Sequence, residues 1–461
     1  MKRPSPARLL ALGFVVLLVG LGVWLERAPP DLIRVGAGYT AKIVCSSVFV
    51  AGRDPDQVLE DDVQAPGHPL LRLMRVSVDR EARVVRASLL GFAGRGLAVM
   101  RDGTGCATVP DGDLARAAAH AAHAVAPAPP AAPREGRWPA GDDPGTSDAA
   151  TRYLLGEPAL AGPGMRAMVV VYRGRIIAER YGEGFGAATP LLGWSMTKTV
   201  TAALVGTLVR ERRLATDRRA LFDAWAGDAR REISIGELLA MSSGLEFNED
   251  YGSVTDVTRM LYLEPDMAAF AAAKPLVHPP GSRFSYSSGT TLMLARQWQD
   301  AQGPAALAWP REALFAPLGM RSAVMEADES GTFVGSSYMY ATARDWARFA
   351  LLLLQDGRWN GKPLLPSGWV KTMRAPSEAA PTEYTQAQMW LHGPRGATPP
   401  GEDPDAAYGL PADTVWMLGH DGQSIAIVPS RDLAVIRLGL TPSKLMYQPQ
   451  KLLKEVLHAL P

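Results

Sequence analysis

The stretch LLGWSMTKTV, residues 191–200, sets Ser195 three positions ahead of Lys198 where an irregular segment gives way to an apolar helix. The residues that follow, TKTVTAALVGTLVRERRL, carry Val200, Leu204 and Leu208 at helical spacing with basic residues at the end. That pattern predicts a mostly buried helix with Ser195 at or near its first turn. Side chains at i and i+3 share one face and can touch. A serine hydroxyl is a weak nucleophile until a base takes its proton, and a lysine can do so only when it is transiently neutral, as burial favours. Backbone N–H groups at the head of a helix can also meet a developing oxyanion. By itself the spacing fits a helix-start serine beside a snorkelling lysine equally well.

Two distant stretches change that balance: FSYSSG, residues 284–289, and GHDG, residues 419–422. With S-x-x-K ahead of them, in this order, the chain resembles the superfamily of serine hydrolases that includes β-lactamases, penicillin-binding proteins and class C-type esterases. The resemblance covers roughly residues 150–455. It implies an α+β fold of the β-lactamase/transpeptidase type, an antiparallel sheet flanked by helices with an all-helical lobe. It further implies Ser195 as the acylated nucleophile, Lys198 as its base, and Tyr286 as the carrier of the proton to the leaving group. A phenolate at Tyr286 is expected to be favoured by the charge of Lys198. The backbone N–H groups of Ser195 and Gln423 correspond to the oxyanion hole, and Ser288, His420 and Gly422 to substrate contacts. Trp194 either walls the acyl pocket or packs beneath the helix.

Departures from the family pattern narrow the substrate. Ser288 stands where the second motif usually has asparagine, and a hydroxyl makes fewer hydrogen bonds than an amide. His420 stands where β-lactamases carry lysine, which removes a permanent cation. Both changes argue against efficient β-lactam or D-Ala-D-Ala hydrolysis and favour a small-amide hydrolase or carboxylesterase. MSSGLEFNEDYGS, residues 241–253, resembles the segment in members that hydrolyse 6-aminohexanoate dimers, with Tyr251 as the tyrosine approaching the bound amide. The expected activity is therefore cleavage of small linear amides or esters through an acyl-enzyme, without a cofactor. A peptidoglycan-directed D,D-peptidase or penicillin-binding protein is the first alternative, and a catalytically inactive envelope binding module the second.

The remainder of the 461 residues places this unit in a compartment. MKRPSPAR precedes LLALGFVVLLVGLGVWL, residues 9–25, an apolar run of bilayer-spanning length behind a basic flank. Residues 1–28 are expected to be a signal anchor that leaves the catalytic part periplasmic at a bacterial inner membrane; the alternative is secretion after cleavage. Residues 36–112 read as a small β-rich region, with LLRLMRVSVD, ARVVRASLL and GLAVMRDG as strands. The Ala/Pro-rich stretch 113–136 reads as a linker, leaving 137–461 as the hydrolase domain. Cys45 and Cys106 either form one disulfide in an oxidising compartment or remain two buried thiols. The seven histidines are scattered, HExxH is absent, and His120 and His123 have no third ligand nearby, so no metal is expected. With 48 Lys plus Arg against 47 Asp plus Glu, net charge gives no reason to expect nucleic acid. The sequence leaves the oligomeric state open.

Overall fold

The computed structural model describes residues 6–119, 134–399 and 401–460. Most of the Ala/Pro stretch, with His120 and His123, lies outside the described residues. The first described element is α1 (Pro6–Arg27), an apolar helix of mean hydropathy 2.4 whose hydrophobic window is not buried against the rest of the protein. At 22 residues it is about 33 Å long, enough to cross a hydrocarbon core.

After Pro29 and Pro30 comes α2 (Asp31–Phe49), a helix that the sequence reading assigns partly to a strand-rich region. Thirteen of its nineteen residues are buried, so no polar stripe announces the helical period. The four-stranded antiparallel sheet β1 (Met74–Asp79), β2 (Val84–Leu89), β3 (Ala93–Arg101) and β4 (Gly105–Thr108) lies against it. Gly96 on β3 is where the two meet most closely, because a Cβ there would lie 2.2 Å from the carbonyl of Ala37.

The region from residue 137 onward builds a five-stranded antiparallel sheet from both of its ends, with the three late strands hydrogen-bonded in succession and the last of them paired to the early hairpin. The early hairpin is β5 (Met165–Tyr172) and β6 (Arg175–Tyr181). Helices α3 (Thr197–Arg210), α4 (Ser288–Gln302) and α5 (Ala343–Leu354) intervene. The late strands β7 (Val415–Gly419), β8 (Gln423–Val428) and β9 (Leu433–Gly439) then return, and α6 (Pro449–Ala459) closes the chain. Val435 on β9 sits opposite Val170 on β5, so residues more than two hundred positions apart share one apolar layer. Between β6 and the second motif lies a short helix, Ile235–Leu239, started by a Ser234–Glu237 capping box.

A buried carboxylate helps to join the N-terminal elements to this body. Glu326 is wholly buried and forms an ion pair with Lys42 of α2, which is 2% exposed. The same side chain accepts the Ser46 hydroxyl at 2.9 Å and the Cys106 backbone N–H at 2.7 Å. Cys45 and Cys106 form a disulfide, tying α2 to β4 across 61 residues of chain. Nearby, Asp62 pairs with both Arg53 and Arg166 of β5, and Arg101 of β3 donates to the Asp328 carbonyl at 2.9 Å.

Removing one partner of a buried ion pair strands the other charge. Glu326→Ala is therefore expected to destabilise the protein by about 3–5 kcal/mol. The double change Lys42→Met with Glu326→Leu, which leaves no buried charge, should cost less than the single one. Urea unfolding curves of the three proteins check this; a single variant with the wild-type midpoint contradicts it.

Candidate active site

Ser195 stands on a tight 3₁₀ turn, Trp194–Met196, between the short strand Leu191–Leu192 and α3. Trp194 takes a left-handed backbone conformation, φ +47°, which is costly for a bulky residue and persists only where packing compels it. The packing is present: its ring is 5.7 Å from that of Tyr338 and 5.4 Å from that of His420, and the residue is buried. The turn leaves Ser195 half-buried and places Lys198 one turn deeper, 1% exposed.

The Lys198 ammonium donates to Ser195 Oγ at 3.1 Å, Ser288 Oγ at 3.0 Å and the Ser336 carbonyl at 3.1 Å. Burial pushes its pKa down to about 8, against the opposing pull of the Glu249 carboxylate. Ser288 is the first residue of α4, whose start is capped by Ser287 accepting the Thr290 N–H at 3.1 Å. Its own N–H and hydroxyl both donate to Glu249, at 2.7 and 2.5 Å. Lys198, Ser288 and Glu249 thus form a hydrogen-bonded chain behind Ser195. Burial pushes the Glu249 carboxyl upward, while Lys198 and the Ser288 donors hold it down.

Tyr286 lies on the other side, its ring centroid 4.7 Å from the Lys198 nitrogen and its hydroxyl within reach of Ser195. The phenolate expected there is not supported. Burial, reinforced by the charge of Glu249, raises the Tyr286 pKa, and Lys198 does not offset it. Tyr286 is accordingly a protonated hydroxyl that can relay or donate a proton.

The GHDG stretch forms the turn between β7 and β8, with Asp421 at φ +55° and Gly422 at φ +83°. Gly419, at the end of β7, lies so close to the Ser195 turn that a Cβ would come within 2.3 Å of the Gly193 carbonyl. That approach sets the start of β8, at Gln423, beside the Ser195 turn. The Gln423 side chain fixes the strand by accepting the Gly439 N–H at 2.9 Å. His420 stacks on Tyr251 with centroids 4.7 Å apart, and the Tyr251 hydroxyl lies within hydrogen-bonding reach of Ser288. The structure therefore brings Trp194, Ser195, Lys198, Tyr251, Tyr286, Ser288, His420, Gly422 and Gln423 into one region. Trp194 contributes to a wall of the cleft in front of the site.

Several members were not found by reading the sequence. Glu249 sits in the polar loop FNEDYG, and only its approach to the head of α4 reveals it. In a stretch of weak sequence pattern, Ala380–Thr385 is a strand, and Trp390 exchanges backbone hydrogen bonds of 2.9 Å with Trp416 of β7. Trp390 and Tyr384 then pack against Tyr286, at 5.0 and 5.9 Å between centroids. Gln388, also in that stretch, clamps α3 to α4 by accepting the Thr199 hydroxyl on its backbone and the Thr291 hydroxyl on its side chain, both at 2.8 Å. Among the described residues no group of three or more His, Cys, Asp or Glu is arranged to hold a metal ion.

Residues 157–444, more than half of the chain, match the family model described as Beta-lactamase. The chain belongs to the β-lactamase family. It is 24% identical over 291 residues to the 6-aminohexanoate-dimer hydrolase of Paenarthrobacter ureafaciens, covering 60% of this chain and 72% of that one. Among solved structures it is similar to a Bacillus anthracis protein whose name assigns it to the 6-aminohexanoate-dimer hydrolases. That match has TM-score 0.54 at 23% identity, over 65% of this chain and 81% of that one. A penicillin-binding protein homologue from Caulobacter crescentus matches with TM-score 0.52 at 19% identity, over 68% and 99% of the two chains. The structural likenesses establish the shared α+β fold.

A lysine acts as a base only when neutral, so the reactivity of Ser195 toward a fluorophosphonate is expected to rise with pH and to level off above about 8. Glu249→Gln removes the group that raises the Lys198 pKa, and the rise should then occur at lower pH. Rates of covalent labelling between pH 6 and 10 measure both midpoints; an unmoved midpoint in the variant would remove Glu249 from this role.

Proposed function

We propose that the protein is a serine hydrolase that cleaves small linear amides or carboxylic esters through an acyl-enzyme on Ser195. The observation that carries this reading is a buried lysine, lowered to a pKa of about 8, that donates a 3.1 Å hydrogen bond to a half-exposed serine. In the proposed sequence, Lys198 takes the proton of Ser195 as its oxygen attacks the carbonyl. The N–H groups of Ser195 and Gln423 receive the oxyanion, and Tyr286 hands a proton to the departing amine or alcohol. Water then releases the acid with the proton flow reversed. The 6-aminohexanoate-dimer hydrolase name of the Paenarthrobacter relative supports linear amides as a substrate class. His420 in place of a permanent cation, and Ser288 in place of a carboxamide, weigh in the same direction. We further propose that α1 anchors the enzyme in the inner membrane with its catalytic part in the periplasm.

Wild-type protein should be labelled by a fluorophosphonate and should turn over p-nitrophenyl acetate, and Ser195→Ala should abolish both. Lys198→Ala is expected to lower kcat by roughly 10²–10⁴-fold, with Tyr286→Phe falling at the lower end of that range. A folded wild-type protein that neither labels nor turns over esters and linear amides overturns the proposal. Stoichiometric capture of labelled penicillin with no ester turnover would replace it with the peptidase reading.

A further inference from the structure

A cleft of about 340 Å³ opens beside the nucleophile turn, and one of its walls comes from outside the family region. On the hydrolase side it is bounded by Trp194, Tyr251 and His420, the same aromatic group that adjoins Ser195 and Ser288. On the opposite side it is bounded by α2, through Leu32, Val35 and Tyr39, and by the segment that includes Leu70 and Leu71. Polar side chains line it at the turns that follow β7 and β9, through Asp421, Ser443 and Lys444, and elsewhere through His68, Ser253 and Thr258. The volume falls within the roughly 300–1,000 Å³ typical of small-molecule sites.

The wall is held rigidly in place. Lys42 and Ser46 on α2 are fixed to Glu326, and Cys45 is bonded to Cys106. The apolar side of the cleft is therefore a built surface of the folded chain. Its location adds a second observation. Leu32 follows the end of α1 by five residues, a span of at most about 18 Å of chain. If α1 crosses a bilayer, the cleft stands close to the membrane surface.

We propose that this cleft is a hydrocarbon-chain subsite, and that the substrate of the enzyme is an ester or amide bearing a linear apolar chain on one side of the scissile bond. The proposal rests on the serine hydrolase reading above and deepens it. α2 and the Leu70–Leu71 segment act as specificity-determining elements: chain methylenes leave water against Leu32, Val35 and Leu71 while the carbonyl reaches Ser195. The chain may be presented by an amphiphile free in water or by a lipid in the bilayer, and these two sources are separable by experiment.

The full-length protein in detergent is assayed with p-nitrophenyl esters of linear acids from acetate to dodecanoate, each below its aggregation limit, and with acetates of linear alcohols of the same lengths. In at least one series kcat/KM should rise with chain length, with an upper bound of roughly fourfold per methylene while the cleft fills. The same protein in phosphatidylcholine vesicles, followed by fatty-acid release, tests the bilayer source. Leu32→Trp and Leu70→Trp, each filling the cleft from a half-buried position, should lower the ratio of decanoate to acetate turnover by at least tenfold. Two variants are used so that one failure to fold leaves the test intact. Binding of a fluorescent dodecanoate is measured in parallel and should weaken in both variants. Flat or falling profiles in both ester series and no vesicle hydrolysis, with ratios unmoved in the variants, overturn the subsite while leaving the hydrolase reading standing. Absence of all turnover defeats the hydrolase reading, and the dodecanoate binding result then decides the subsite alone: bound and weakened by the variants upholds it, unbound overturns it.

Discussion

A lysine buried without a carboxylate in direct contact is the constraint on which the candidate site depends. Lys198 has no solvent to hydrate its charge, and its direct hydrogen-bond partners are two hydroxyls and a carbonyl. Such a site is tolerable because the proton is weakly held, and a weakly held proton is what a general base for serine requires. Each neighbouring feature serves that condition. The strained Trp194 turn puts Ser195 at the correct height, and Ser288 at the head of α4 supplies a second acceptor. Gln388 locks α3 against α4 so that the distances persist. Glu249 stays one residue removed, acting through Ser288 and through space, so it tempers the burial without holding the ammonium fully charged.

Lys42 makes the contrast clear. It is as deeply buried as Lys198, yet it meets Glu326 directly, with Ser46 completing the group. Burial lowers its pKa too, but the adjacent carboxylate pulls the other way through both charge and hydrogen bond. Lys198 is left with hydroxyl and carbonyl partners only, whereas Lys42 is a fastening between α2 and Glu326. Two identical side chains in similar burial thus diverge because of what lies within 3 Å of the nitrogen.

The sequence made the reactive centre more legible than its surroundings. Ser195 and Lys198 are three residues apart, and helical geometry alone brings them together. The β5–β6 hairpin and the late strands declare themselves through Val- and Ile-rich runs. By contrast α2 hides because it is enclosed on most faces by small and apolar residues, so its period carries no polar stripe. Glu249 and Gln388 lie in segments without strong pattern, and only long-range contacts give them partners. Tyr286 lies beside Ser195 and Lys198, but the phenolate expected of it finds no support. Pairwise charge suggested phenolate, whereas desolvation, invisible in sequence, outweighs it.

The electrostatic balance of the centre also bears on what it can accept. Glu249 brings a carboxylate into the same enclosure as the base, and its two Ser288 hydrogen bonds favour its charged form. Packed against Trp194 of the Ser195 turn stands His420, stacked on Tyr251 and 3.5 Å from the Asp421 carboxylate. A substrate carboxylate at that turn would meet Asp421 beside a ring that carries no permanent charge, and its desolvation would be poorly repaid. A neutral ester or amide group encounters no such penalty, and on the proposed reading its flanking methylenes would lie between the Trp194–Tyr251 wall and the Leu32 and Val35 side chains of α2. The features that separate this centre from a carboxylate-binding one therefore support the proposal of an uncharged, chain-bearing substrate.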